Sequence, residues 1–76
     1  KTRLIDVREQ WEFDEYNIGG HNIPLFDLIA KKEEMHSANA MILLCQTGKR
    51  SLYAAHILKK NVKNILVAHL NDSELF

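Results

Sequence analysis

The stretch that decides the fold is ILLCQTGKRS, residues 42–51, where an apolar run stops abruptly at the single cysteine of the chain. The run extends from residue 40 to residue 44 without alternation, which is typical of a strand buried on both faces of a parallel sheet. A helix is predicted for residues 51–60, because apolar side chains recur there at helical spacing. Residues 45–50 would then form a tight turn between the strand and the helix.

Similar patterns divide the rest of the chain into short elements. Apolar runs predict strands over residues 4–7 and 64–68, and helical patterns cover residues 9–16 and 25–35. A glycine pair and a proline mark residues 17–25 as a turn. Strands that alternate with helices indicate an α/β fold with an open parallel sheet flanked by helices. In such sheets, ligands bind beyond the carboxyl ends of the strands.

The same patterns predict which side chains enter the core. In the helix of residues 51–60, the side chains expected to face the sheet are Leu52, Ala55, Ile57 and Leu58. Trp11 and Phe13 are expected to lie in the core or at its rim rather than to bind a substrate.

Length and composition limit the classes of function. The chain has 76 residues, so one domain is expected over residues 1–76, and ten basic residues balance ten acidic ones, which argues against a nucleic-acid partner. No apolar run approaches the roughly 20 residues that cross a bilayer, and no membrane association is expected. One cysteine cannot form an internal disulfide, which favours a cytoplasmic location. The four dispersed histidines lack metal-ligand spacing with Cys45, so neither a metal nor another cofactor is expected.

The turn around Cys45 has the chemistry of an anion-binding loop. A turn at a helix N-terminus points main-chain N–H groups inward and adds the positive end of the helix dipole. A thiolate at that position has a lowered pKa, and the neighbouring Lys49 and Arg50 are expected to lower it further. Gly48 allows the main chain to bend, so an ionised, exposed nucleophile in an anion cradle is predicted. The alternative is an inert cysteine that ends a core strand.

Two blocks of the sequence resemble the rhodanese-like sulfurtransferase domain. LIDVREQWEFDEYNIGGHNIPL, residues 4–25, looks like the DVR strand of that family and its glycine-rich turn. ILLCQTGKRSLYAAHILKK, residues 42–60, looks like the active-site loop, Cys-x-x-Gly-x-Arg, with the helix that follows it. Together they are similar to the rhodanese-like domains attached to adenylyltransferases of thiamine and molybdopterin synthesis.

The resemblance implies a sulfurtransferase in which Cys45 takes up a sulfur atom as a persulfide and passes it to a nucleophilic acceptor. It assigns substrate binding to the loop residues Gln46, Thr47, Gly48, Lys49 and Arg50. Lys49 and Arg50 would attract a small anionic donor such as thiosulfate. Asp6 and Arg8, at the DVR position, are expected to form a structural ion pair near the site. A sulfur-carrier or adenylyltransferase protein is the expected macromolecular partner.

Two other functions fit the same residues. An interaction module could keep the fold and dock an adenylyltransferase or a sulfur carrier without catalysis. Related phosphatases use a loop one residue longer, Cys-x5-Arg, whereas four residues separate Cys45 from Arg50 here, which disfavours phosphate esters. The family also has a strand and a helix before its DVR strand, so the domain is expected to be incomplete at its N-terminus. Its usual Gly-Gly tail is replaced by residues 69–76, which predicts an altered loop beside the site.

Overall fold

One parallel sheet organises the computed structural model, which describes residues 2–37 and 40–70. Its four strands in the described part of the chain are β1 (Thr2–Asp6), β2 (His21–Asn22), β3 (Ala40–Cys45) and β4 (Asn64–His69). The helices are α1 (Gln10–Glu15), α2 (Leu25–Ala30), a 3-10 helix (Lys32–Ser37) and α3 (Lys49–Leu58). The strand order is β2-β1-β3-β4, so the apolar β3 is a central strand, as its uninterrupted hydrophobic sequence predicts.

The register of the strands brings the DVR segment next to the cysteine. β1 pairs with β3 from Thr2 opposite Ala40 to Asp6 opposite Leu44. The main-chain N–H of Val7 then donates to the carbonyl oxygen of Leu44 at 2.9 Å. Since all strands run in the same direction, their carboxyl ends meet at one edge of the sheet, which is where the candidate site lies.

The core is packed between the sheet and the helices that follow β2 and β3. Its fully buried side chains are Ile5, Val7, Leu28, Met41, Leu43, Cys45, Ala54 and Leu58. Met35 and Val62 extend the same cluster. Within the described residues, none of the helices combines the length and the apolar character needed to cross a bilayer.

The predicted α/β class and its parallel sheet are confirmed, and three details differ from the prediction. The helix predicted for residues 25–35 ends at Ala30, where the N–H of Lys31 is shared between the carbonyl oxygens of Asp27 and Leu28 and the chain tightens into the 3-10 helix. The turn predicted for residues 17–25 contains β2, which is too short to show a periodic pattern. α3 covers Lys49–Leu58 rather than residues 51–60.

One predicted core position, Leu52, is wrong. Leu52 is 63% exposed, because the side chains that α3 buries are Ser51, Ala54 and Leu58, spaced three and four residues apart. Trp11 is 65% exposed and lies at the rim, whereas Phe13 is partly buried. The apolar pattern of α3 predicts the wrong position for Leu52 because a small polar residue, Ser51, occupies a buried position.

Candidate active site

The sulfur of Cys45 lies inside a ring of hydrogen-bond donors. Cys45 is the last residue of β3, and α3 begins four residues later at Lys49. Its Sγ accepts hydrogen bonds from the main-chain N–H of Gly48 at 3.0 Å and of Ser51 at 3.3 Å. The hydroxyl oxygen of Ser51 is 3.3 Å from the same sulfur. The predicted turn therefore forms, and its main chain points at the sulfur.

Gly48 makes this turn possible. It is the N-cap of α3, with φ at +91°, a conformation that residues with a Cβ atom rarely adopt. The left-handed residue reverses the chain so that its own N–H, together with the N–H groups of the first helical turn, faces the end of β3. The positive end of the α3 dipole adds to these donors at the same place.

These donors determine the ionisation of the thiol. Burial raises the pKa of Cys45, but hydrogen bonds from the Ser51 hydroxyl and from the N–H groups of Ser51, Gly48 and Arg50 lower it, and the net pKa is below the ordinary thiol value of 9.0. This is the predicted direction. The charge of Arg50 also interacts with the thiolate. The pKa of Arg50 is raised mainly by its hydrogen bond with Glu12, and the charge of Cys45 raises it further.

The sulfur is not exposed, which corrects one expectation. Cys45 has 0% of its surface accessible, since the loop folds over the end of β3. Its surroundings are polar on the loop side, where main-chain N–H groups and the hydroxyl of Ser51 contact Sγ. Burial alone agrees with an inert core cysteine, but an inert cysteine in an apolar site has a raised pKa.

Arg50 is held by a carboxylate from the other side of the site. Its two terminal nitrogens donate to the two carboxylate oxygens of Glu12, on α1, at 2.7 and 3.0 Å. The same carboxylate accepts the main-chain N–H of Glu9 at 2.8 Å and so caps α1. The hydrogen bond with Arg50 lowers the pKa of Glu12 against the effect of burial. The loop is thereby tied to α1.

Asp6 and Arg8 form a second ion pair at the end of β1. Arg8 donates from Nε and Nη2 to the Asp6 carboxylate at 3.0, 3.1 and 2.8 Å, and both residues are buried. The guanidinium also donates to the carbonyl oxygens of Glu12 and Tyr16 near the end of α1. Arg8 thus positions the helix that carries Glu12, and the ion pair expected at the DVR segment is present.

Comparison with known proteins agrees with this geometry. The family model of the rhodanese-like domain matches residues 1–72. The chain belongs to the rhodanese-like family. The family is the one that the two sequence blocks resemble. In this rhodanese-like domain, Cys45 ends a central strand and lies beneath the short loop that leads into α3.

Two relatives of this rhodanese-like domain come from Bacillus subtilis (strain 168). The chain is 45% identical over 62 residues to the "Uncharacterized protein YqhL", covering 80% of this chain and 49% of that protein. It is 33% identical over 58 residues to the "Putative sulfur carrier protein YrkF", covering 75% of this chain and 31% of that protein. The chain thus spans about half the length of the first relative and a third of the second. No solved structure matches the chain significantly.

The predicted substrate-binding residues of the rhodanese-like loop do not share one environment. Gly48 contacts the sulfur through its N–H, and the exposed Gln46 lines a shallow depression beside α1. Thr47 is exposed, and Lys49 lines a separate groove along α3 with Leu52. The roles of these residues, and of Cys45 itself, stay predictions.

Sequence reasoning missed two residues that contact the loop. Ser51 was read only as the start of a helix, and Glu12 only as part of an acidic, aromatic helix. A glutamate three residues after Glu9 completes a capping box, which marks the start of α1 but not the contact of Glu12 with Arg50. Within the described residues, no group of three or more metal-ligating side chains is found. Of the atypical tail, His69 ends β4 opposite Cys45, and Leu70 donates its N–H to the Cys45 carbonyl oxygen at 2.8 Å. Residues 71–76 lie outside the described residues.

Proposed function

We propose that this rhodanese-like domain is a sulfurtransferase that carries a sulfane sulfur as a persulfide on Cys45. The observation that supports it best is the set of N–H and hydroxyl groups around Sγ, which lowers the pKa of the thiol although the residue is buried. A thiolate is the nucleophilic form of cysteine, and the same donors stabilise negative charge on a bound sulfur.

The proposed reaction has two displacements at sulfur. The thiolate of Cys45 attacks the outer sulfur of a sulfane-sulfur donor, the Sγ–S bond forms, and the donor leaves with the electron pair of its broken S–S bond. With thiosulfate the leaving group is sulfite. A nucleophilic acceptor then attacks the outer sulfur of the persulfide, and Cys45 leaves as the thiolate. The oxidation state of the transferred sulfur is unchanged, so the reaction needs no redox partner.

Mass spectrometry of the protein after incubation with a sulfane-sulfur donor tests the proposal. We expect one added sulfur atom on the peptide that contains Cys45, and its removal when cyanide is added as acceptor. Because Cys45 is the single cysteine, Cys45→Ser is a complete control and must show no adduct. The proposal fails if neither thiosulfate nor a persulfide donor produces an adduct on folded protein whose thiol still reacts with an alkylating reagent.

Burial of Cys45 favours a second candidate function, a non-catalytic interaction module. Its accessible surface is 0%, and a module that only docks an adenylyltransferase or a sulfur carrier has no need of a reachable thiol. A module of this kind predicts a Cys45 that reacts with iodoacetamide only in denaturant. Reaction of the folded protein at a rate comparable with that of a free thiol excludes it.

A further inference from the structure

The guanidinium groups beside the loop, one of which is the Arg50 expected to attract an anionic donor, are already paired. Arg50 is paired with Glu12 through two hydrogen bonds, and Arg8 is paired with Asp6. Lys49 lines the groove along α3, away from the depression beside α1. Paired guanidinium groups attract a dianion less than free ones do, because the charge of the carboxylate cancels most of their potential at a distance.

The surface beside the loop has an acidic character. Gln46 and the α1 residues around it line a shallow depression, whose remaining members are Arg8, Trp11, Glu12, Glu15 and Tyr16. Its one guanidinium, that of Arg8, is buried against Asp6. Arg50 offsets the charge of Glu12, so the carboxylate of the exposed Glu15 and two largely exposed aromatic rings, Trp11 and Tyr16, are then left at this rim. This is an unfavourable approach for a small anion and a favourable one for a donor that carries little negative charge.

We propose that Glu12 determines donor specificity, so that the site selects persulfides with at most one negative charge and discriminates against thiosulfate. This rests on the proposed function and names its substrate class. With a hydropersulfide R–S–SH as donor, Sγ bonds to the terminal sulfur, the S–S bond of the donor breaks, and R–S⁻ leaves with the electron pair of that bond. Thiosulfate brings two negative charges to the thiolate in the same step, and the carboxylate of Glu12 offsets the charge of Arg50 that would otherwise attract them.

Glu12→Gln removes the charge and keeps the shape of the side chain. Glutamine completes a capping box as glutamate does and keeps one oxygen that can accept a hydrogen bond from Arg50, while the second hydrogen bond, to Oε2, is lost. Asp14→Asn is the matched control, since it makes the same change of charge on an exposed side chain of the same helix, outside the depression.

The first experiment compares alkylation of Cys45 by iodoacetate, an anion, and by iodoacetamide, its neutral analogue. The ratio of the two rates cancels any change in the thiolate fraction, because both reagents react with the same thiolate. We expect Glu12→Gln to raise the ratio of the iodoacetate rate to the iodoacetamide rate about fivefold, and this increase should become smaller at higher salt concentration. Asp14→Asn should leave the ratio within about 1.5-fold of that of the unaltered protein. An unchanged ratio in Glu12→Gln, an equal change in Asp14→Asn, or a thiol that neither reagent reaches overturns the proposal.

The second experiment measures persulfide formation from thiosulfate and from hydroxyethyl hydropersulfide. We expect Glu12→Gln to lower the KM for thiosulfate about tenfold with little change in kcat, and to alter the use of the hydropersulfide by less than threefold. Equal effects on both donors would show that Glu12 only positions Arg50. If alkylation shows the charge selectivity but no donor yields a persulfide, the charge-selective site stands and sulfur transfer fails, so the two proposals are separated.

Discussion

Ser51→Ala tests whether the hydroxyl beside Cys45 stabilises the thiolate. The Ser51 oxygen is fully buried, 3.3 Å from Sγ and 3.1 Å from the carbonyl oxygens of both Gly48 and Ala68. The hydroxyl has one proton for three acceptors. When Cys45 is a neutral thiol, Ser51 can donate to a carbonyl oxygen, and when Cys45 is ionised it can donate to the sulfur.

The size of the effect follows from the loss of one hydrogen bond to a charged group. Such a bond contributes about 1.5–3 kcal/mol. At about 1.36 kcal/mol per tenfold change, its loss lowers the thiolate population at a pH below the pKa by roughly 10- to 160-fold. The N–H donors of Gly48 and Ser51 remain in the variant, so we expect the pKa of Cys45 in Ser51→Ala to rise.

Thiolate absorbance during a pH titration measures this directly, because Cys45 is the single cysteine and Cys45→Ser supplies the blank. Thr47→Ala, which removes a hydroxyl from an exposed position of the same loop, is the matched control and should titrate like the unaltered protein. An unchanged midpoint in Ser51→Ala would refute the reasoning and assign the stabilisation to the main chain alone.

The titration also predicts how stability depends on pH. The pKa of Cys45 is lower in the folded protein than the ordinary value of 9.0, so between the two values the unfolded chain binds more protons. The free energy of unfolding therefore rises with pH across this window, and the contribution of the thiolate is lost as pH falls through the folded pKa. Ser51→Ala should show a smaller rise, measured by urea unfolding at several pH values.

Two substitution pairs test the packing that supports the site. Gly20→Ala should cost about 2–4 kcal/mol in the free energy of unfolding, because φ is +83° and a Cβ would lie 2.7 Å from the Leu4 carbonyl oxygen. Gly19→Ala, with φ at +101° and open space, should cost only about 1–2 kcal/mol, and equal losses would contradict the steric argument. Leu43→Ala should cost about 2–5 kcal/mol because the side chain is fully buried. Leu66→Ala, at a 61% exposed position, should change stability by less than about 0.5 kcal/mol in urea unfolding. A loss in Leu43→Ala as small as that in Leu66→Ala would contradict the core position of Leu43.

The part of the site that the sequence could predict is the part built from neighbouring residues. A buried strand, a glycine three residues after the cysteine and a helix soon afterwards are local features. They determine that N–H groups face the end of β3, as the hydrogen bonds from Gly48 and Ser51 confirm. The order of strands and helices predicted the parallel sheet for a similar reason, since short connections leave few alternatives.

The part that the sequence could not predict depends on contacts between distant segments. Glu12 and Arg50 are 38 residues apart, and their pairing depends on where α1 lies relative to the loop. Each residue alone looks like an ordinary surface charge. The burial of Cys45 is also a tertiary property, because it depends on how closely the loop folds over β3 and on the hydrogen bond from Leu70 that fastens the end of β4 to Cys45. Neither leaves a periodic signal.

Burial and ionisation of Cys45 have the same structural cause, and this favours the reactive interpretation over the inert one. Hydrocarbon that covers a thiol removes water without replacing its hydrogen bonds, so the pKa rises and the thiol becomes unreactive. Here the cover is the loop itself, and the N–H groups of Gly48 and Ser51 that approach Sγ to 3.0 and 3.3 Å replace the water. A thiolate held in this way should react preferentially with a partner that offers a single terminal atom, because little room is left around Sγ. The outer sulfur of a persulfide or of thiosulfate is such an atom, and a hidden sulfur with a lowered pKa therefore supports the proposed sulfur transfer.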